Sequence, residues 1–193
     1  LESLHNVVDE IIVVDSFSKD RTKQICGKYN VKFIEQEFLG YIEQKNYALS
    51  KATFNHIVSL DGDEALSKEL QKSILTLKSN WKNDGYLCNR LNNFCGQWIK
   101  YSDWYPNKKL RVFDRRKGEW SGINPHDKIA LKKGAKTGYL KGDILHWTYQ
   151  TYSEFNQKTE YFSSIAAKAY FDKGKKASFW KIWFNPTWAF FKS

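Results

Sequence analysis

Methionine is absent from this 193-residue sequence, and proline and cysteine occur three times each. A chain without methionine whose first residue is Leu1 is expected to be a fragment with its start further upstream. Cys26, Cys88 and Cys95 are odd in number and show no CxxC spacing, which argues against a disulfide framework or zinc ribbon and favours a reducing compartment. No run of about 18 apolar residues occurs, so no transmembrane helix is expected, and no signal peptide is visible. Acids are scarce too: 21 Asp and Glu face 31 Lys and Arg, for a net charge of +10. Such a balance points to an anionic partner (nucleotide phosphates, nucleic acid or an acidic membrane) without choosing among them. Hydrophobic residues at 41% and aromatics at 17% exclude a disordered chain, and the length suits one domain with a core and a small appendage.

What is present reads first as strand–helix alternation. Leu1–Val8 reads as the end of a helix. Glu10–Val14 is a β-branched run of the kind buried on both faces of a parallel sheet. The segment Asp15–Thr22 is rich in capping residues, and a helix is expected from there to about Tyr29. Val31–Glu35 reads as a strand, Ile42–Ala52 as a helix, His56–Leu60 as a strand, and Ser67–Asn80 as a helix with Leu70, Ile74 and Leu77 on one face. This is the βαβ pattern of a parallel sheet. After Gly85 the texture changes, with strands expected at Tyr86–Phe94, Lys109–Phe113, Ile123–Leu131 and Asp143–Tyr149, then an amphipathic helix over Tyr152–Phe171.

Chemistry is expected where strands end. Asp61-Gly-Asp-Glu64 follows the third strand, and in an open α/β sheet ligands bind beyond the carboxyl ends of strands. Two carboxylates around a glycine can face one hard cation, magnesium or manganese, that in turn holds a diphosphate. Asp15 closes the first strand as Asp61 closes the third, so both are expected at one edge of one sheet. There Asp15 can accept from a base or ribose, or simply cap a helix. Lys45, on a helix in the same half, can meet a diphosphate or stay solvated.

In chain order, Ile12-Val-Val-Asp-Ser-Phe-Ser-Lys-Asp-Arg-Thr22, Gly40-Tyr41 with Gln44-Lys45-Asn46, and Ser59-Leu-Asp-Gly-Asp-Glu64 resemble the family 2 glycosyltransferases, in particular the lipopolysaccharide core glucosyltransferase branch. Trp104-Tyr-Pro106, Lys109-Leu-Arg-Val-Phe113, His126-Asp127 and Leu145-His146 follow in that branch's order, so the resemblance spans about residues 1 to 170. It implies an α/β GT-A nucleotide-diphospho-sugar transferase fold, a Rossmann-like mixed sheet flanked by helices, here lacking the family's N-terminal strand. It further implies inverting transfer from a nucleotide-sugar donor, with a UDP-linked hexose expected, to a lipopolysaccharide core or other glycan or glycolipid acceptor. By the same resemblance Asp15, Ser16, Asp20, Lys45 and Asp61 surround the nucleotide, and Asp61 and Asp63 hold the divalent metal (Mg2+ or Mn2+), with the second Asp favoured as direct ligand. Asp127 is the expected base that takes the acceptor proton, standing where the branch usually carries glutamate, and Pro125 is expected to fix its turn. Trp104, Tyr105, Arg111 and His126 are expected on the acceptor side, and His146 near the donor phosphates.

Other classes fit less well. A haloacid-dehalogenase-type phosphatase wants Thr or Val where Ala65 stands, and a final Asp where Trp147 stands. A nucleotidyltransferase shares the sheet and metal carboxylates and remains an alternative. A basic RNA-binding module needs lysines on one aromatic face, but through residue 150 they are scattered, so nucleic acid is not expected as a partner. The tail differs: residues 173–193 hold five lysines, no acid, and Phe179, Trp180, Trp183, Phe184, Trp188, Phe190 and Phe191. Residues 1–150 are thus expected to form the transferase domain, and 151–193 a helix and tail that lie on an anionic membrane surface, the inner face of the cytoplasmic membrane.

Overall fold

A computed structural model describes residues 1–124, 126–176 and 178–192. After a short 3-10 turn at Glu2–Leu4, where a helix end was expected, the chain runs β1 (Ile12–Asp15), α1 (Thr22–Cys26), β2 (Lys32–Glu35), α2 (Tyr41–Lys51), β3 (His56–Val58), β4 (Glu64–Leu66) and α3 (Lys68–Lys78). The second half supplies β5 (Gly85–Phe94), β6 (Gln97–Ile99), β7 (Asn107–Asp114), β8 (Gly118–Ile123), β9 (His126–Leu131) and β10 (Thr137–Tyr149). Two helices close the chain, α4 (Tyr152–Asp172) and α5 (Phe179–Lys192). The α/β class is as expected: a mixed sheet flanked by helices.

The main sheet runs β3-β7-β5-β10-β4 with β6 paired to β5, and only the β5–β10 pair is parallel. β1 and β2 pair in parallel as a separate ribbon. The first and third strands therefore do not share one sheet as expected, because β3 is only three residues long and spends its ladder on β7, pairing Ile57 with Phe113 and Val58 with Val112. A second departure is the expected single strand over Ile123–Leu131, which is instead the hairpin β8–β9. Pro125, expected to fix the turn before Asp127, lies outside the described residues.

Alternation along β7 explains the two cores. Val112 and Phe113 are neighbours, so they point to opposite faces. Val112 joins Leu66, Leu70, Ile74, Leu77, Tyr86 and Ile144, which brings α3 onto one face. Phe113 joins Trp120 and Ile129, with Ile42 and Leu49 of α2 packed on them, which puts α2 and the β8–β9 hairpin on the other. Leu70 and Phe113 are both fully buried, so truncating either to alanine removes about 3–5 kcal/mol. Ser67 starts α3 by accepting from the Leu70 amide at 3.3 Å, and the same hydroxyl accepts from the Asp143 amide at 2.9 Å, tying the helix to β10. Gly142 sits at φ +95° where a β-carbon would strike the Leu70 backbone, so only glycine lets β10 pass under α3.

Candidate active site

The site grows from the three residues Gln44-Lys45-Asn46. Successive helical residues project about 100° apart, so these three reach three different elements. Gln44 donates from Nε2 to Ser16 Oγ at 2.9 Å, holding the loop after β1. Asn46 clamps the backbone of Trp120 on both sides, its Nδ2 donating to the carbonyl and its Oδ1 accepting from the amide, each at 2.9 Å. Between them, Lys45 places Nζ 2.8 Å from Asp61 Oδ1 and 2.7 Å from Asp127 Oδ2. One ammonium thus links the acidic turn to β9.

The acidic turn is built around buried charge. Glu64, whose side chain is wholly buried, opens β4 instead of extending the turn, and its Oε2 accepts from the Asp61 amide at 3.0 Å. Arg111, expected on the acceptor side, lies beneath the turn, with Nη2 at 2.9 Å from Asp61 Oδ2 and 3.3 Å from Glu64 Oε1. That position follows from its strand: β7 runs beside β3, and Ser59 donates to the Arg111 carbonyl at 2.9 Å. Trp120 closes the floor, its ring centroid 4.2 Å from Lys45 Nζ and 5.0 Å from Arg111 Cζ, distances at which an aromatic face attracts cations. Burial works to raise the Asp61 carboxyl, but Arg111 and Lys45 outweigh it and hold the pKa at about 2.

Asp63 is different. Its side chain is 45% exposed, and Oδ2 lies 3.4 Å from His146 Nε2. Burial opposes ionisation there, but the contact with His146 prevails and lowers the carboxyl below its ordinary value. His146 is oriented from behind, its Nδ1 2.7 Å from Asn92 Oδ1 and 3.0 Å from Thr148 Oγ1. Among the described residues no group of three His, Cys, Asp or Glu side chains stands ready for a metal. Asp63 and His146 alone fit a cation that takes its remaining ligands from a phosphate, as magnesium commonly does.

The remaining expected residues divide. Asp15 is buried and accepts from the Ser18 amide at 2.8 Å, so its carboxylate is turned into its own loop. Asp20 is exposed and caps Thr22, accepting from its amide at 2.8 Å. Tyr105 is committed to Asp143 and Asn89 through its hydroxyl, at 3.0 and 3.2 Å. Trp104 lines an open cleft of about 230 Å³ together with Arg90, Asn92, Asn107 and Thr148. His126 is exposed at the start of β9. The structural roles of Glu64, Trp120 and Asn46 were not read from the sequence. Asn46 was in view, but only as part of a motif, and nothing local marks a tryptophan as the floor beneath two cations.

Carboxylates at strand ends, counter-charged by a lysine and an arginine and one of them open to solvent, are the kind of arrangement an α/β enzyme site carries. The particular family follows from comparison: residues 1–138 match the model for glycosyl transferase family 2, and the chain belongs to that family. An uncharacterized glycosyltransferase of Rickettsia felis is 30% identical over 206 residues, covering 100% of this chain and 72% of that one. A lipopolysaccharide core biosynthesis glycosyltransferase, LpsC, of Rhizobium meliloti is 25% identical over 192 residues, covering 96% and 71%. Among solved structures, S. aureus TarS 1-349 in complex with UDP is 23% identical with a TM-score of 0.43, and the match spans 55% of this chain and 37% of that one.

Proposed function

We propose that this chain transfers a hexose from a nucleoside-diphosphate donor, with UDP as the expected nucleotide, to a hydroxyl of a lipopolysaccharide-core-like glycan or glycolipid, with inversion at the anomeric carbon. The observation that carries the reading is Lys45 bridging Asp61 and Asp127, which sets the acidic turn and a carboxylate from another element one ammonium apart. A single-displacement transfer needs both: a charged end that receives the leaving diphosphate, and a base that removes the acceptor proton. In the step, the acceptor oxygen bonds to the anomeric carbon and the bond from that carbon to the diphosphate oxygen breaks. The electron pair leaves with the diphosphate, and the acceptor proton goes to Asp127.

Lys45, shared between Asp61 and Asp127, is the cation that would face the leaving group, and Glu64 and Asp61 hold Arg111 buried behind it. Asp63 with His146 would hold a magnesium or manganese ion, which when bound supplies further charge to the diphosphate. Asp61, with both oxygens already engaged by Lys45 and Arg111, suits orientation of the donor better than metal ligation. Ser16 and Asp20 sit on the loop that would approach the nucleoside. Incubation of the full chain with labelled nucleotide sugars and a lipooligosaccharide acceptor tests the reading: label should move to the acceptor with equimolar nucleoside diphosphate. Release of pyrophosphate from nucleoside triphosphates instead would assign the site to nucleotidyl transfer.

The same reading places the enzyme on an anionic membrane surface, where a lipid-linked acceptor resides. Along α5, Trp180, Trp183, Phe184, Trp188, Phe190 and Phe191 are each more than 60% exposed. Fourteen residues span about 21 Å, less than the roughly 30 Å hydrocarbon core, and no described helix is long and apolar enough to cross a membrane. An aromatic helix flanked by lysines lies in the interface, with rings at headgroup depth and ammonium groups on anionic lipid.

A further inference from the structure

We propose that the cleft beside Trp104 is an acceptor subsite for a sugar bearing an acidic group, with Arg90 as the ligand for that group; this rests on the reading that the chain transfers a sugar. The cleft adjoins the donor end through a single imidazole. Asn92 lines it and holds His146 Nδ1 at 2.7 Å, while the other nitrogen of that ring faces Asp63 at 3.4 Å. The cleft's volume, about 230 Å³, suits a single sugar ring, with Trp104, Asn107 and Thr148 among the lining residues.

Arg90 singles out an acid. Its Nη1 lies 3.7 Å from Glu64 Oε1, a carboxylate that already takes Arg111 at 3.3 Å and the Asp61 amide at 3.0 Å. Its Nε is buried and has no hydrogen-bond partner among the described residues. Arg90 nevertheless lines the cleft with its side chain 21% exposed, and a guanidinium on a cleft wall matches a carboxylate or phosphate. The residue stands on β5, which is hydrogen-bonded to β7 on one side and β10 on the other, and Asn107 is its register partner. That backing fixes the backbone from which the side chain projects. Nearby Lys109 has its pKa lowered, through burial first and then through repulsion from Arg90 and Arg111, with Glu64 and Asp127 acting against it. Asp103 stands at the exposed rim.

The test is saturation-transfer NMR on the full chain with three probes that share one ring: methyl galactoside, its 6-phosphate, and methyl galacturonide. The two acidic probes should give signal at least tenfold stronger than the neutral one, and the ratio between them tells carboxylate from phosphate. Arg90→Gln should abolish that preference in a chain that still unfolds cooperatively, Arg90→Lys should keep part of it, and Trp104→Ala should weaken all three probes alike. A neutral probe that binds as well as the acidic ones, or an Arg90→Gln chain that keeps the preference, overturns the inference. Nucleoside diphosphate binding is measured on the same samples. If it persists while the acid preference is missing, the subsite alone falls. If the acid preference is present without nucleotide binding, the anion site stands and the transfer reading falls.

Discussion

The acidic turn and α5 break the usual partition of a folded chain in opposite directions. Around the turn, charge is buried: Glu64 and Arg111 lie inside, and Asp61 is pinned between two cations. Along α5, aromatic rings stand in solvent. A buried ion pair gains little net stability over an apolar pair, and large exposed apolar patches mark interaction surfaces. Both departures fall where the proposed function needs them, one as the seat of an anionic ligand and the other as a surface for lipid. They also differ in what backs them. The turn is braced by β7, β10 and α2 through named hydrogen bonds, whereas α5 offers a surface.

The comparison breaks most sharply at the base. Asp127→Asn should lower turnover by about 10²- to 10⁴-fold, the usual weight of general base catalysis, in a chain that still binds nucleotide. Asp127→Glu should keep substantial activity. A full-rate Asp127→Asn enzyme would move the base elsewhere, Glu64 being next in line.

Glu64→Gln tests whether the turn is held by charge. It leaves Arg111 buried with only the partly exposed Asp61, and should cost about 3–5 kcal/mol in denaturant unfolding. A loss within about 0.5 kcal/mol, the scatter of ordinary surface changes, would show that the pair is dispensable.

On the other side of the comparison, replacing Trp183 and Trp188 together by serine should cut flotation with anionic vesicles by tenfold or more. The melting temperature should not move, because neither ring is buried. Equal flotation of the two proteins would remove α5 from the membrane account.

The smallest effect concerns acid. Asp61 has a folded pKa of about 2, below its unfolded value near 4, so its contribution to stability is complete above that value and fades as pH falls toward 2. Asp61→Asn should flatten the fall of the urea midpoint between about pH 5 and pH 2. A fall as steep as in the wild type would assign acid sensitivity to other carboxylates.

The two regions were not equally legible in the sequence. The helix α3 was readable, since Ser67 and the spacing of Leu70, Ile74 and Leu77 are local signals. So was the family, because its motifs keep their order. The strand β4 was hidden: Glu64 at its start looked like one more acid in the turn, and only its pairing opposite His146 makes it a strand. The inward pairing of Arg111 was hidden for a related reason. Its partners are 50 and 47 residues away, so no window of sequence shows that it faces inward to the turn. The antiparallel pairing of β3 with β7 is likewise a long-range choice that a run of apolar residues cannot announce.

The central claim, that the buried-charge turn receives a nucleoside diphosphate, is tested most directly by calorimetric titration of UDP into the full chain. The titration is run with manganese, with chelator, and on Asp63→Asn. The account predicts saturable binding with manganese that weakens at least tenfold on chelation and again on the substitution. Affinity indifferent to both changes, or no nucleotide binding by a folded chain, would contradict it.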